Sequence, residues 1–178
     1  DAIMLSAETA AGAWPVQAVT MMHDIARSVE ADVDYFRRLQ FTQTLPDATT
    51  ADAVSHAANS ITDTVDAAAI VCFTASGSTA RRVSRERPRA PMLMLTPKLD
   101  VARRMGILWG AHAVQTKDII SFVGMIAKGK RMALRHNVGQ AGAKLVMMAG
   151  VPFGTPGSTN VLHVATLTGQ ELDGYDPD

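Results

Sequence analysis

Ala67-Ala-Ala-Ile-Val-Cys-Phe-Thr-Ala-Ser-Gly-Ser-Thr79 is the stretch that decides the fold class of this 178-residue chain. Its first part, Ala67–Phe73, is a continuous apolar run, as expected of a strand buried on both faces rather than alternating on one. Thr74–Ser78 is small, polar and interrupted by a glycine, which is the composition of a turn. Thr79 to Arg87 then reads as a helix stopped by Pro88. A buried strand, a turn and a helix make one βα unit of a parallel sheet.

The pattern repeats outward. Pro91-Met-Leu-Met-Leu95 is a second buried strand, and Thr96-Pro97 offers a cap and a first-turn proline for a helix to about Leu108. Ala111-His-Ala-Val-Gln115 is a third strand. Ile119 to about Asn137 reads as a long helix, weakened by Gly124 and Gly129. Lys144–Met148 and Asn160–Thr166 are the last strands; only a loop joins them, so they pair antiparallel. Upstream, Thr49 or Thr50 caps a helix with the stripe Val54, Ala57, Ala58, Ile61 and Val65. The expected class is α/β: a mixed, mostly parallel five-stranded sheet flanked by helices.

The N-terminal part is organised differently. Ala2–Leu5 reads as a short strand, Ser6–Gly12 as a polar turn carrying Glu8, and Pro15 as the first turn of a helix to about Leu39. That helix has the stripe Val19, Met22, Ala26, Val29 and Val33. Phe41–Ala48 is polar, aperiodic and contains Pro46. The expected divisions are residues 1–40, a linker at 41–48 and a domain over 49–178. The tail Gly169–Asp178 is acidic and is expected to fray.

Composition narrows the function classes. Lys plus Arg and Asp plus Glu are both 17, so the net charge is zero and there is no global pull toward nucleic acid or an anionic membrane. A hydrophobic content of 47% with a mean hydropathy of +0.08 fits a soluble globular chain. No apolar run approaches the ~20 residues a membrane-spanning helix needs. The single cysteine, Cys72, reads as a small buried hydrophobe and suits a reducing cytoplasm. The first residues do not form a signal peptide. A chain that begins with Asp instead of Met is expected to be part of something longer.

Thr74-Ala-Ser-Gly-Ser-Thr79 is the strongest chemical constellation. Hydroxyls and free N–H groups converge between a strand and a helix N-terminus, and Gly77 would let the backbone approach a ligand. Such a turn suits a phosphate, although an ordinary capped βα turn has the same composition. It is not a Walker loop, because the lysine and its spacing are missing. Arg81, Arg82, Arg85, Arg87 and Arg89 follow; an arginine-rich face is more often solvated or ion-paired than nucleic-acid-binding. Gly150–Asn160 is either a shaped loop that closes over a ligand or a wide hairpin connection. His23, His56, His112, His136 and His163 show no metal-ligand spacing.

Several runs together resemble the pyruvate kinase family. Asp1–Pro15 is similar to its M-L-S-[GA]-E-[ST]-A-x-G-x-[YW]-P segment, Thr74–Pro88 to T-x-S-G-x-T-A-R-x-V-S-R-x-R-P, Ala102–Gly110 to A-R-x-x-x-L-x-x-G, and Asn137–Gly139 to N-V-G. Gly150–Asn160 is similar to G-x-P-x-G-x-x-G-x-T-N.

The resemblance implies that residues 1–40 are the last βα unit of a catalytic barrel and that residues from 49 onward are the C-terminal allosteric domain. It implies a sugar phosphate or AMP-type effector held by Thr74, Ser76, Gly77, Ser78 and Thr79, by Arg131, and by Thr155, Gly157 and Ser158. It also implies a homotetramer in the cytoplasm.

Ser6, Glu8 and Thr9 would support the barrel end. The family's catalytic lysine, metal-binding carboxylates, phosphate-binding arginine and K⁺ site belong to earlier barrel strands. No catalytic residue or metal site is therefore expected in this chain, and Mg²⁺ and K⁺ are implied for the full-length enzyme alone. Ala75 stands where some sugar-bisphosphate-regulated relatives carry lysine, and Ala143-Lys144 replaces a Gly-Asp-like turn, so effector identity stays open. The other function class is an independent module that binds a phosphorylated metabolite without kinase activity.

Overall fold

Backbone hydrogen bonds of Ala69–Phe73 run to both sides, which places this strand at the middle of the sheet. The computed structural model of the chain describes residues 2–42, 45–155 and 157–171. They fall into two units, Asp1–Leu45 and Pro46–Asp178.

The second unit contains the sheet. After α1 (Ala7–Ala10), α2 (Pro15–Glu30) and α3 (Val33–Thr42) of the first unit, its elements are α4 (Thr50–Val65), β1 (Ala69–Phe73), α5 (Ser78–Arg85), β2 (Met92–Thr96), α6 (Leu99–Met105), β3 (Ala111–Gln115), α7 (Phe122–Arg135), β4 (Lys144–Gly150) and β5 (Thr159–Thr166). Strand order is β3-β2-β1-β4-β5. β1 pairs in parallel with β2 and β4, β2 in parallel with β3, and β4 antiparallel with β5. The expected class and the antiparallel last pair are what the chain forms.

Each sheet face has its own core. Val71, Leu93, Leu95, Leu145 and Met147 face Met125, Met132 and Ala133 of α7. Ile70, Cys72, Met92, Met94, Val146 and Met148 face Ala58 of α4, Ala80 and Val83 of α5, and Val101 and Met105 of α6. β1 and β2 are buried at every residue, which is why their sequences are apolar without alternation. Gly129 is a packing residue rather than a weak point. A Cβ there would come within 2.9 Å of Met147 Cε, so the glycine lets α7 lie close on β4.

Several boundaries differ from expectation. α6 starts at Leu99 instead of at Thr96-Pro97, because Thr96 completes β2 and its hydroxyl accepts the Lys98 N–H at 3.3 Å. α7 starts later than Ile119, where the Ser121 hydroxyl accepts the Gly124 N–H at 3.1 Å. Thr49 caps α4 by accepting the Asp52 N–H at 3.2 Å. In the expected tail, Glu171 is tied down by hydrogen bonds from Thr168 and Gly169; residues 172–178 lie outside the described residues.

The first unit consists of α1 (Ala7–Ala10), α2 (Pro15–Glu30) and α3 (Val33–Thr42). The expected strand Ala2–Leu5 is not formed. A strand needs a neighbour to satisfy its N–H and C=O groups, and the five-stranded sheet does not include this segment. The expected helix from Pro15 to Leu39 is two helices. Asp32 ends the first and starts the second, its carboxylate accepting the Asp34 N–H at 2.9 Å. α3 then runs through Phe41–Thr42, into the expected linker.

Candidate functional site at the carboxyl ends of the strands

The path of the chain through the sheet creates a crevice. From β1 it steps to β2 and β3 on one side, then crosses to β4 on the other side of β1. The loops after β1 and β4 therefore leave neighbouring parallel strands in opposite directions. In open α/β sheets such a switch point, at the carboxyl ends of the strands, is where ligands bind.

A cavity of ≈ 50 Å³ lies there, lined by Thr74, Ser78 and Thr79 after β1 and by Gly150, Thr155 and Ser158 after β4. Gly157 also lines it, as do Thr96 at the end of β2, Pro97 after it, and Thr116, Lys117 and Asp118 after β3. Of the residues singled out from sequence, the fold thus brings together Thr74, Ser78, Thr79, Thr155, Gly157 and Ser158.

Three others are placed elsewhere. Ser76 is behind the lining, donating to the Ser78 hydroxyl at 3.1 Å and accepting the Ser78 N–H at 3.4 Å. Gly77 faces away from the cavity: a Cβ there would meet Met105 and Val101 at 3.5 Å, ordinary contact, while its φ of +82° requires glycine. Arg131 lies on α7, nine residues beyond Phe122 and so about 13 Å along the helix from its start. It does not line the cavity.

The hydroxyls are preset by local hydrogen bonds. Thr74 is buried and its Oγ1 accepts the Gly77 N–H at 2.9 Å. A hydroxyl that already accepts keeps its proton to donate, so Thr74 and Ser78 can both offer O–H to an oxygen-rich ligand. Thr79 and Thr159, both buried, hydrogen-bond each other across the crevice and tie the α5 N-terminus to β5. Gly77 at the N-cap of α5 has no side chain to cap it; the Ser78 N–H goes to the Ser76 hydroxyl, and the next N–H groups, of Thr79 and Ala80, have no intrahelical acceptor.

The Gly150–Asn160 loop is shaped at its base by Asn160. Its amide accepts the Val151 N–H at 2.8 Å and donates to the Val151 carbonyl at 2.6 Å. Ser158 donates to the Thr155 carbonyl at 2.8 Å. The Val151-Pro152 peptide is cis.

The arginine-rich helix is largely engaged in ion pairs. Arg82 and Arg85 reach the buried Asp52 carboxylate at 2.8 and 3.1 Å. Burial alone would raise the Asp52 pKa. The Arg85 hydrogen bond, the Asp47 N–H and the charges of Arg85 and Arg82 outweigh it and hold the carboxyl below its ordinary range. Buried Glu86 contacts His56 at 2.8 Å, and the Arg87 guanidinium lies 5.1 Å from the Trp109 ring centroid. Cys72 is fully buried, which pushes its thiol up to about 12. His112 and His136 contact each other at 2.9 Å; burial first, then His112 and Arg135, lowers the His136 pKa.

Among the described residues there is no group of three or more His, Cys, Asp or Glu that could hold a metal ion. No described helix is long and apolar enough to cross a membrane. In the first unit, Ser6 stands at the N-cap of α1 without a side-chain cap bond. Thr9 donates to the Ser6 carbonyl at 3.0 Å, and Glu8 sits exposed in the first turn.

Sequence reasoning passed over Lys117, Asp118, Thr96 and Thr116. The signal was available in the same form as for Thr74: polar residues directly after an expected strand. What sequence could not supply was that three strand ends meet those of β1.

Comparison with known proteins follows the same outline. The family model described as "Pyruvate kinase, alpha/beta domain" matches residues 52–165. The chain is 39% identical over 173 residues to a pyruvate kinase of Methylorubrum extorquens, covering 97% of this chain and 36% of that protein. It is 36% identical to one of Agrobacterium vitis (94% and 35% covered) and 37% identical to one of Clostridium acetobutylicum (94% and 35%). The chain spans about a third of the length of these curated relatives.

Proposed function

This chain belongs to the pyruvate kinase family, and from that premise we propose that it supplies the effector-binding and subunit-assembly part of a pyruvate kinase. The parent reaction is phosphoryl transfer from phosphoenolpyruvate to ADP, giving pyruvate and ATP in glycolysis. In this reading residues 1–40 are the last βα unit of the catalytic barrel, 41–48 the linker and 49–178 the regulatory domain. The catalytic lysine, the metal-binding carboxylates and the Mg²⁺ and K⁺ sites lie on other parts of the enzyme. The assembled enzyme is a cytoplasmic homotetramer.

The observation that carries the effector reading is the convergence of the Thr74–Thr79 and Gly150–Thr159 loops on one cavity at the β1/β4 switch point. The N–H groups of Thr79 and Ala80 at the start of α5 and the O–H groups of Thr74 and Ser78 can donate to an anion. A sugar bisphosphate or AMP presents a phosphate group that these donors complement.

The test is a thermal melt of the 178-residue chain with fructose 1,6-bisphosphate, AMP and inorganic phosphate. One of them should raise Tm, because a ligand at a hundred times its Kd stabilises by about 2.7 kcal/mol. Ser78→Ala should reduce that shift more than Ser76→Ala, since only Ser78 lines the cavity. No shift with any of the three would return this loop to an ordinary βα turn. In a lactate-dehydrogenase-coupled assay the chain alone should show no turnover of phosphoenolpyruvate; robust turnover would overturn the assignment of catalysis to other parts of the enzyme.

A further inference from the structure

Lys128 lies near the middle of α7 on the face that packs Met125, Met132 and Ala133 against the sheet, and only 4% of it reaches solvent. An ammonium group is kept in such a place only when its donors are satisfied. Its Nζ donates to the Lys117 carbonyl at 2.8 Å and reaches the Asp118 carbonyl at 3.5 Å. Those carbonyls belong to the segment after β3 that forms one wall of the cavity. The buried side chain thus links the helix to the segment that lines the ligand site.

The same segment is held from its other sides. The Thr116 N–H donates to the Thr96 carbonyl at 2.9 Å, and the Gln115 amide donates to the Pro97 carbonyl at 3.3 Å. The Asp118 carboxylate accepts the Ile119 N–H at 2.9 Å, which turns one of its oxygens onto the backbone. Among the described residues lining the cavity, Lys117 is the one Lys or Arg. The loop after β1 offers hydroxyls and N–H groups but has Ala75 where a cation could stand. A cation beside a phosphate bound there would strengthen the site, because charge-assisted bonds are about twice as strong as neutral ones.

Resting on the reading of this cavity as an anion site, we propose that Lys117 is the cation that recognises the ligand's phosphate and that Lys128 is the positioning residue that holds Lys117 in place. Lys128 does this from behind: its ammonium holds the carbonyl of Lys117 itself and reaches that of the next residue, Asp118. The ligand class is accordingly a phosphorylated small molecule whose phosphate reaches the β3 side of the crevice.

Isothermal titration of the full 178-residue chain with fructose 1,6-bisphosphate and with AMP tests this, using the wild type, Lys117→Met, Lys128→Met and the double variant. The wild type should bind one probe, and each single variant should weaken it at least tenfold. The double variant should be no weaker than Lys117→Met, because residues acting through one another are not additive. The fall of affinity with salt should flatten in Lys128→Met as it does in Lys117→Met, which loss of packing alone would not produce.

If Lys128→Met does not fold, as judged by circular dichroism, Lys128→Gln, one bond shorter and uncharged but with an amide that can still donate, takes its place. Wild-type binding with both single variants unchanged would overturn this inference and leave the anion site standing. Additive losses, or an unchanged salt slope in Lys128→Met, would overturn the positioning role. A wild type that binds neither probe would overturn the site itself and the inference with it.

Discussion

Val71 and Ile25 stand at the centres of two apolar stretches that meet opposite fates. Val71 on β1 is fully buried, with Leu93 and Met147 beside it in register on the neighbouring strands. Ile25 on α2 is 56% exposed, and Trp14, Val16, Val19, Met21 and Val29 are exposed with it. No residue of α1 or α2 is buried, whereas the second unit has a packed cluster on each sheet face. The difference lies in the kind of structure each sequence needs. A strand run that is apolar on both faces forms only where other strands and two helical layers surround it. An amphipathic helix satisfies its own backbone and can form with its apolar face unoccupied. Apolar pattern therefore reports burial in the sheet but only helicity in the first unit.

The largest effect should come from the sheet centre. Leu93→Ala removes a fully buried side chain between β1 and β3 and should cost about 3 kcal/mol, within the ~2–5 range for such cavities. Urea denaturation followed by circular dichroism measures it. A loss below about 1 kcal/mol would mean that the sheet repacks and that the contrast with α2 is smaller than the exposures indicate.

Asp52→Asn probes the polar part of the same unit. The amide can still accept the Asp47 N–H, but Arg82 and Arg85 lose their counter-charge. The Arg82 and Arg85 side chains keep 30% and 34% of their surface, so the cost should be about 2 kcal/mol rather than the ~3–5 of a fully buried pair. The pH dependence has a definite sign. The Asp52 pKa is lower in the fold than its ordinary 3.8, so its contribution is complete above that value and is lost as the pH falls toward the folded pKa. Wild type and Asp52→Asn should therefore converge in stability below about pH 4, and parallel profiles down to pH 2 would contradict the pairing.

These two variants also mark how much could be read from the chain. β1 and β2 were legible because a both-faces-buried strand has no polar residue to confuse its period. The loops after β1 and β4 were legible because glycine and hydroxyl residues crowd there. Asp52 and Lys128 were not, because a helical stripe is found by its apolar members, and α4 buries Asp52, Ser55 and Thr62 beside Ala51 and Ala58. Lys117 was not, because its place in the crevice depends on strand order, which no local pattern encodes. Ala2–Leu5 and the break at Asp32 failed for a third reason. Strand formation there needed a neighbour, and one carboxylate redirected the backbone of an otherwise helical run.

Gly77→Ala should have a smaller effect than Asp52→Asn. A Cβ has room there, 3.5 Å from Met105 and Val101, so the cost is that of holding alanine at φ +82°, about 1 kcal/mol. Thermal melting would show it. A loss well beyond 2 kcal/mol would mean that the turn, and with it the start of α5, rearranges.

The smallest effect is assigned to Ile25→Ala. The substitution removes a side chain that is already 56% exposed and replaces it with the best helix former. The small loss of contact and the small gain in propensity should cancel to within about 0.5 kcal/mol, the usual range for a surface position. A melt of the 178-residue chain, read by far-ultraviolet circular dichroism, decides it. A loss above about 1 kcal/mol could not come from the exposed geometry. It would mean that this face of α2 is covered in solution, and the contrast between the two units would then be one of partner rather than of kind.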